Sequence, residues 1–478
     1  MSVAKEKVLL IDLPTYPKGS VALSLYAVAA AFDPWYSSEI IDLNFLGIDA
    51  ALQAKSAHAW AIIGLKVSAQ NFKHAVSISK LLKERFPEVP VLWGGELPTL
   101  LSEECLIHCE VIVRGSFEPV AEELCLDLQQ GKLKAEYQGR FASNELATLL
   151  SPRLDLIPQP ERYPAFMGWP MESSRGCTFK CTFCMVHSMQ PGYQTKSLAQ
   201  LESELKAYKG RFLNLVDYNF GLDKAHLLKV AKAIGESGVV GWMGEMCLES
   251  LDDDEVLEAL AASRCRMIYC GLEAVDEMAL KSINKARTNQ IGNYERIIRK
   301  VQSHGVQIAA GLIIGLEGSS LESFEKMHEF FQRMDIAYVK LTFLTYNPGT
   351  KVKESMQRKG SYVTEEIDQF DGNHLTFLAN GLDPDMLFEG SRKFIRSFYS
   401  VRKIVGRAIK SEMNFLGKME LMLFNFCYRE VYLEWVANVI FRNEIAFQEL
   451  LAKSYAPSWR FRLADRLLKR VRSLRFKQ

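Results

Sequence analysis

The chain has 478 residues and a formal net charge of +1, with 58 Lys and Arg against 57 Asp and Glu. At roughly 100–200 residues per domain, this length predicts about three domains and excludes a peptide hormone or a small disulfide-stapled fold. Because the charge is balanced, no overall basic field exists to attract nucleic-acid phosphates, so a nucleic-acid partner is not predicted.

The composition also predicts the compartment. The ten cysteines fall below the density of a disulfide scaffold. No signal segment precedes the first strand-like run. No apolar run reaches the roughly 18–20 residues that cross a bilayer. We therefore expect a cytoplasmic protein.

Short β-branched runs alternate with helical patterns over residues 1–150. The strand candidates are Val8–Ile11, Glu39–Asp42, Ala61–Gly64, Val89–Gly95 and Glu110–Gly115. Five strands separated by helices predict a parallel, doubly wound α/β sheet. Such sheets bind ligands at the carboxyl ends of their strands, where this sequence places Ser68, Gly94, Gly95 and Gly115.

Prolines over residues 151–170 predict an extended connector, and a second alternation follows over residues 171–355. Its strand candidates are Met171–Ser174, Phe212–Tyr218, Trp242–Leu248, Arg266–Leu272, Gln307–Ile314 and Tyr338–Leu344. Six strand-helix units are too few for the common closed eight-fold barrel. They predict a partial (β/α)6 barrel whose site lies at the carboxyl ends of the strands.

Residues 356–478 lose the strand signal and are predicted to be helical. The stretch Trp459–Gln478 holds eight basic residues and one acidic residue, with large apolar side chains between them. We expect this helix to pack on its own domain. Peripheral contact with the inner face of a membrane is the alternative, because such a pattern also suits an anionic lipid surface.

The strongest chemical signal is a CxxxCxxC run formed by Cys177, Cys181 and Cys184, directly after the first predicted barrel strand. Three thiolates on one short loop suit an iron-sulfur cluster, because soft sulfur ligands hold iron. A four-iron cluster has four ligand positions, so one iron is left open. Two alternatives remain: a structural zinc site completed by His187, and buried, inert cysteines.

This loop resembles the signature of the radical S-adenosylmethionine (SAM) superfamily, in which an aromatic residue precedes the last cysteine, as Phe183 does here. The resemblance implies that the three cysteines hold a [4Fe–4S] cluster whose open iron binds SAM. An external electron donor would then reduce the cluster, and SAM would be cleaved to a 5′-deoxyadenosyl radical. The partial barrel is the fold of this superfamily.

Two later segments are similar to elements of the same family. Tyr269–Ala274 resembles its fourth-strand element, although the carboxylate of Glu273 could also be a helix N-cap. Ala310–Gly318 resembles its fifth-strand adenine contact. The resemblance assigns the SAM contacts to Phe183, Gly271, Glu273, Gly311, Ile313 and Gly315.

The N-terminal strand ends resemble the cobalamin-binding domain that precedes the barrel in one large radical SAM subclass. The resemblance assigns cobalamin contacts to Ser68, Gly94, Gly95, Gly115 and Glu118. None of the histidines in this region has an Asp two positions earlier, so we expect cobalamin to bind without a protein histidine on cobalt. A degenerate flavodoxin-like domain without cofactor is the alternative.

Together these resemblances imply a cobalamin-dependent radical SAM enzyme of biosynthesis. We expect a methyltransferase that uses a 5′-deoxyadenosyl radical and methylcobalamin to methylate an unactivated carbon of a small or lipid-like substrate. The sequence assigns no catalytic residue. One alternative is a non-methylating cyclase or rearrangement enzyme of the same subclass, and another is a cofactor-binding protein without turnover.

Overall fold

Two parallel six-stranded sheets follow each other along the chain, and a group of helices comes after them. The computed structural model describes residues 5–15, 19–53, 60–142, 146, 149–345, 347–350, 361–379, 382–438 and 457–476. The predicted fold class, a doubly wound sheet followed by a partial barrel and a helical region, is confirmed.

The N-terminal sheet has its strands in the order β2-β1-β3-β4-β5-β6, all parallel. They are β1 (Lys7–Asp12), β2 (Ser37–Asp42), β3 (Trp60–Lys66), β4 (Val91–Gly94), β5 (Val111–Gly115) and β6 (Glu136–Gly139). The chain order reverses between β1 and β3, and a sheet of this kind binds ligands at the carboxyl ends near that reversal. The sequence did not predict β6, because this short strand buries a single large apolar side chain, Tyr137.

Helices cover both faces of this sheet. They are α1 (Leu23–Phe32), α2 (Ile48–Gln53), α3 (Phe72–Arg85), α4 (Glu96–Leu100), α5 (Ser102–Leu106) and α6 (Ala121–Gln129). Val8 and Leu10 of β1 pack with α1 and α6 on one face. Leu9 and Ile11 belong to a second hydrophobic cluster that continues into the barrel. Successive residues of β1 are therefore buried on opposite faces, as expected for a fully covered parallel sheet.

The second sheet is open, with the strand order β14-β13-β12-β11-β10-β7. Its strands, with the antiparallel ribbon β8/β9, are β7 (Trp169–Met171), β8 (Ser174–Gly176), β9 (Tyr193–Thr195), β10 (Phe212–Leu215), β11 (Gly241–Glu245), β12 (Cys265–Glu273), β13 (Gln307–Ile314) and β14 (Tyr338–Phe343). Strand β7 begins earlier than predicted and contains Pro170. A proline is tolerated there because β7 is an edge strand.

Seven helices accompany these strands. They are α7 (Val186–Met189), α8 (Leu198–Leu205), α9 (Lys224–Glu236), α10 (Asp254–Ala262), α11 (Glu277–Ser282), α12 (Ile291–Ser303) and α13 (Leu321–Arg333). Several begin where a short polar side chain accepts a hydrogen bond from the first turn, for example at Asp223, Asp253 and Ser320. Their amphipathic faces then pack against the strands.

The C-terminal region covers the edge of the second sheet. After β15 (Ser361–Tyr362) and β16 (Phe377–Leu378), its helices are α14 (Pro384–Phe398), α15 (Val401–Lys410), α16 (Phe415–Asn438) and α17 (Trp459–Phe476). The Tyr399 hydroxyl accepts from Val339 N at 3.0 Å and donates to Val339 O at 2.8 Å. The Tyr432 hydroxyl accepts from Leu341 N at 3.0 Å. These hydroxyls satisfy backbone groups that an edge strand otherwise exposes.

Candidate functional site

The cysteine loop is held at both ends by the ribbon of β8 and β9. Gly176, the last residue of β8, has a φ of +85°, and a Cβ at this position would overlap the carbonyl oxygen of Gly192. Only glycine therefore lets the ribbon close. Where the chain enters β8, Ser173 donates hydrogen bonds from its backbone and hydroxyl to Asp217, and the hydroxyl of Ser174 also donates to Asp217. The entry of the chain into the loop is thereby fixed.

The three loop cysteines are half-buried free thiols, and electrostatic interactions link them to one another. Burial raises the pKa of each thiol, that of Cys181 to about 11, while the nearby Lys285 ammonium opposes the rise. Among the described residues, no three His, Cys, Asp or Glu side chains converge on a point where a single ion could bind. His187 lies exposed on α7.

This donor set fits a four-iron cluster. Each thiolate of such a cluster binds a different iron, so its sulfurs lie farther apart than the ligands of one zinc ion. A bound metal also favours the thiolate form and so counteracts the effect of burial on the thiol pKa. The placement of His187 gives the zinc alternative no support.

Glu273 lies at the carboxyl end of β12, close to the cysteine loop. The strand has an irregularity between Gly271 and Glu273, and Glu273 has a φ of +63°. The carboxylate consequently folds back over Gly271. Lys285 Nζ lies 3.4 Å from Glu273 Oε1, and each side chain is only 10% exposed. Asp276, rather than Glu273, caps the following helix.

Burial raises the pKa of the Glu273 carboxyl, and the Lys285 ammonium opposes this effect. Further side chains hold the strand end in place: Asn289 Nδ2 donates to Gly271 O at 2.7 Å and to Leu272 O at 3.0 Å. The Tyr294 hydroxyl donates to Leu272 O at 3.1 Å. The position of the carboxylate is therefore set by a rigid strand end.

The expected SAM contacts on β12 and β13 lie on neighbouring strands. Gly271 and Gly311 face each other in the ladder, and the Tyr269 hydroxyl leans over Gly311. Gly315 follows β13 with a φ of +89°. Two other expected contacts, Phe183 and Ile313, pack with the hydrophobic cluster that connects the two sheets. The glycines thus lie beside an apolar surface.

Replacing Lys285 with methionine is expected to lower the free energy of unfolding by about 3 kcal/mol, because it leaves the Glu273 carboxylate buried without a partner. Adding Glu273→Gln should restore most of this loss, because the uncompensated charge disappears. Urea unfolding of both single variants and the double variant measures the coupling. A coupling below about 0.5 kcal/mol would show that the two charges do not depend on each other.

A cavity of about 360 Å³ lies between the two sheets. Gly94, Gly95, Gly115 and Glu118 line it from the N-terminal side, together with apolar residues of α1. A Cβ on Gly94 would meet no atom within 4 Å, so the backbone there faces open space. Ser68 lies outside the lining and caps the turn that follows β3. An apolar wall with exposed backbone at strand ends fits a large ring with a nucleotide tail.

The opposite wall of the cavity comes from the β8/β9 ribbon and from loops at the strand ends of the second sheet, and it includes Arg175. Arg175 Nη2 lies 2.8 Å from Glu118 Oε1, and its Nε lies 2.8 Å from Glu172 Oε2. Burial would raise the pKa of Glu118, but Arg175 outweighs that effect and the pKa is lowered. Because Arg175 precedes Cys177 by two residues, the cavity wall and the cysteine loop are directly connected.

Two further charged side chains lie on the face of the second sheet that carries Glu273. Glu245 ends β11, and Lys340 lies on β14 beside Gly311 in the ladder. Glu245 is exposed, but desolvation by the surrounding protein raises its pKa to about 6, against an opposing effect of Lys340. Neither makes a hydrogen bond or ion pair with another residue in the part of the chain that the structure describes. They are available to a substrate.

Sequence reasoning missed Arg175, Lys285, Glu245 and Lys340. For Glu245 and Lys340 a signal existed, since each is a charged residue within an otherwise apolar strand pattern. Arg175 contacts Glu118 over 57 positions of the chain, and Lys285 meets Glu273 only because the end of β12 is irregular. No local pattern reports such pairs.

The chain is similar to a known protein family and to several methyltransferases. Residues 171–331 match the family model of the Radical SAM superfamily. The bacteriochlorophyllide d C-12(1)-methyltransferase of Chlorobaculum tepidum is 26% identical over 433 residues, covering 87% of this chain and 91% of that protein. The hopanoid C-3 methylase of Methylococcus capsulatus is 23% identical over 330 residues, covering 64% of this chain and 62% of that protein.

The fold is also found among solved structures. The structure of the radical SAM methyltransferase TsrM from Kitasatospora setae, with cobalamin and a [4Fe–4S] cluster bound, aligns with a TM-score of 0.66 at 14% identity. The alignment covers 94% of this chain and 100% of that chain. At this identity the likeness shows a shared fold from the first sheet to the C-terminal helices.

Proposed function

We propose that this chain, which carries a radical SAM domain at residues 171–331, is a cobalamin-dependent methyltransferase that methylates an unactivated carbon of a small or hydrophobic substrate. One observation carries the proposal: a single cavity joins the N-terminal strand ends to the wall that precedes the cysteine loop, through the contact of Glu118 with Arg175. The named activities of the relatives, on bacteriochlorophyllide d and hopanoids, support it.

In this proposal Cys177, Cys181 and Cys184 hold a [4Fe–4S] cluster. SAM lies against Phe183, Gly271, Glu273, Gly311, Ile313 and Gly315, and cobalamin lies against Gly94, Gly95, Gly115 and Glu118. When bound, these groups supply an electron for SAM cleavage and a carrier for the methyl group. We also propose four segments: an N-terminal domain at residues 1–150, a connector at 151–170, a partial barrel at 171–355 and a helical region at 356–478.

The protein's own residues bind and orient SAM and the substrate, and they exclude water. Glu273 accepts hydrogen bonds from donor groups of SAM, and Lys285 keeps its carboxylate in place. Glu245 and Lys340 offer an acceptor and a donor to polar groups of the substrate. The apolar residues that line the cavity between the two sheets limit the access of water to a reactive intermediate.

The partners follow from the relatives and from the chemistry. A hopanoid is a hydrophobic substrate, and a similar class of molecule suits this chain. Cleavage of SAM needs an electron, so we include an external electron donor in the proposal. The proposal also includes peripheral contact of the C-terminal helix with a membrane.

The proposal is tested by anaerobic reconstitution with iron, sulfide and cobalamin, followed by incubation with reductant and SAM that carries a deuterated methyl group. Bacteriochlorophyllide d and a hopanoid serve as probe substrates. We expect 5′-deoxyadenosine and a product in which a CD₃ group has replaced one hydrogen atom of the substrate. Unlabelled product of unchanged or lower mass would support the cyclase or rearrangement alternative instead. A fully loaded cluster without 5′-deoxyadenosine would support a binding protein without turnover.

A further inference from the structure

The last described helix, α17, is fixed to the amino-terminal end of the second sheet. Phe461, Leu468 and Val471 are buried against the domain. Arg472 Nε donates to Glu420 Oε1 at 2.9 Å, and its guanidinium lies 3.3 Å from the ring centroid of Phe212, the first residue of β10. The helix therefore packs on its own domain, as the sequence predicts, and its orientation is fixed.

The opposite side of α17 carries large apolar side chains in the open. The exposed fractions are 65% for Trp459, 49% for Leu463, 39% for Leu467 and 47% for Leu474. At 3.6 residues per turn these four positions fall within an arc of roughly 80°. Burying such a surface in an apolar phase is favourable, so this stripe is a candidate contact surface.

Arginines accompany the stripe. On the same helical projection Arg470 lies within it, and Arg462 and Arg466 lie along one side, all three exposed. We call the surface formed by Trp459, Leu463, Leu467, Arg462, Arg466 and Arg470 the Trp459 face. An apolar stripe bordered by cations is the pattern of helices that lie in the interface of a bilayer.

Two neighbouring helices also carry exposed apolar side chains. Ile409 lies in the last turn of α15 and is 66% exposed, and Phe415 begins α16 and is 74% exposed. Lys410 lies 3.7 Å from Asp335, which precedes β14, so this region is also at the amino-terminal end of the strands. These two residues thus lie at the same end of the strands as Phe212, which α17 contacts.

We infer that the Trp459 face binds an anionic phospholipid surface. The arginines complement lipid phosphates, and the tryptophan and leucines reach the acyl boundary below them. A nucleic acid would satisfy the arginines but would leave the leucines in water, and a second copy of the chain would bring like charges together. No helix in the described ranges has the length and hydropathy to cross a bilayer, so the contact is peripheral.

The link to a hydrophobic substrate rests on the proposed function, whereas the binding itself needs neither cluster nor SAM. The test is co-sedimentation of the full chain with vesicles of phosphatidylglycerol and phosphatidylcholine, and with vesicles of phosphatidylcholine alone. We expect binding to the anionic vesicles that weakens at high salt. The variant Arg462→Gln/Arg466→Gln/Arg470→Gln should lower the partition coefficient roughly tenfold or more, as should Trp459→Ser/Leu463→Ser/Leu467→Ser.

Ile107→Ser is the matched control, because Ile107 is an exposed apolar residue of the N-terminal domain and is 77% exposed. It should bind vesicles like the unmodified chain. Circular dichroism and melting temperature establish that every variant is folded. Equal recovery of all variants, or equal binding to neutral vesicles, would overturn the inference. Binding of tRNA by the unmodified chain without binding to anionic vesicles would overturn it too, and normal iron content and SAM cleavage in the same sample would show that the proposed function is unaffected.

Discussion

Replacing any one of Cys177, Cys181 or Cys184 with alanine is expected to remove iron and SAM cleavage together, with a fall in 5′-deoxyadenosine formation of roughly a thousandfold or more. A cluster that has lost one of three protein ligands is no longer held, and no other described side chain joins the other two cysteines to replace it. Iron and sulfide content after anaerobic reconstitution, together with 5′-deoxyadenosine, measure both effects.

The control for this result is Cys247→Ser. Cys247 interacts electrostatically with Cys177 but lies outside the loop, with its sulfur 2.8 Å from Ser250 Oγ. Its replacement should leave the iron content unchanged. If iron instead persisted in the loop variants, or if the unmodified chain bound zinc and no iron, the assignment of the loop would be wrong.

Gly94→Leu is expected to weaken cobalamin binding by roughly a hundredfold or more while leaving the iron content intact, because the new side chain occupies the cavity. The fold should tolerate the change, since a Cβ at this position meets no atom within 4 Å. The neighbouring Gly95 is unsuitable for this test: it has a φ of +119°, and a Cβ there would lie 2.6 Å from Val67 O. Corrinoid retained after desalting, measured by absorbance, reports the effect.

Gly47→Leu is a matched control, because Gly47 also has no atom within 4 Å of a Cβ and lies outside the cavity. This variant should retain cobalamin like the unmodified chain. Because the proposed SAM contacts lie on β12 and β13 and not at Gly94, Gly94→Leu should still form 5′-deoxyadenosine. Equal cobalamin retention by Gly94→Leu and Gly47→Leu would contradict the proposed location of the cofactor.

Much of the fold could be predicted because strong local patterns determine it. The strand Gln307–Ile314 has the limits that the sequence predicts, and the helices Ile291–Ser303 and Leu321–Arg333 flank it. Both helices are strongly amphipathic, and Ser320 caps the second one. The strand at Trp169 was predicted two residues late, because Pro170 resembles a connector residue unless the position at a sheet edge is known.

Those parts of the site that consist of short sequence motifs could be predicted. The spacing of the three cysteines and the glycines at strand ends can be recognised along the chain. The contact of Arg175 with Glu118 cannot, because it joins the β8/β9 ribbon to the turn after β5 over 57 positions. The Lys285–Glu273 pair also depends on the irregular end of β12, which no sequence period reports.

The location of α17 determines how a molecule docked on lipid would be oriented. This helix contacts Phe212 at the start of a strand, whereas the cysteine loop and the cavity lie at the far ends of the strands. The reaction chamber would therefore point into the aqueous phase, where water-soluble reductants and SAM arrive. A hydrophobic substrate would then have no direct route from the bilayer into the cavity. It would have to diffuse along the protein surface or be delivered by a carrier protein.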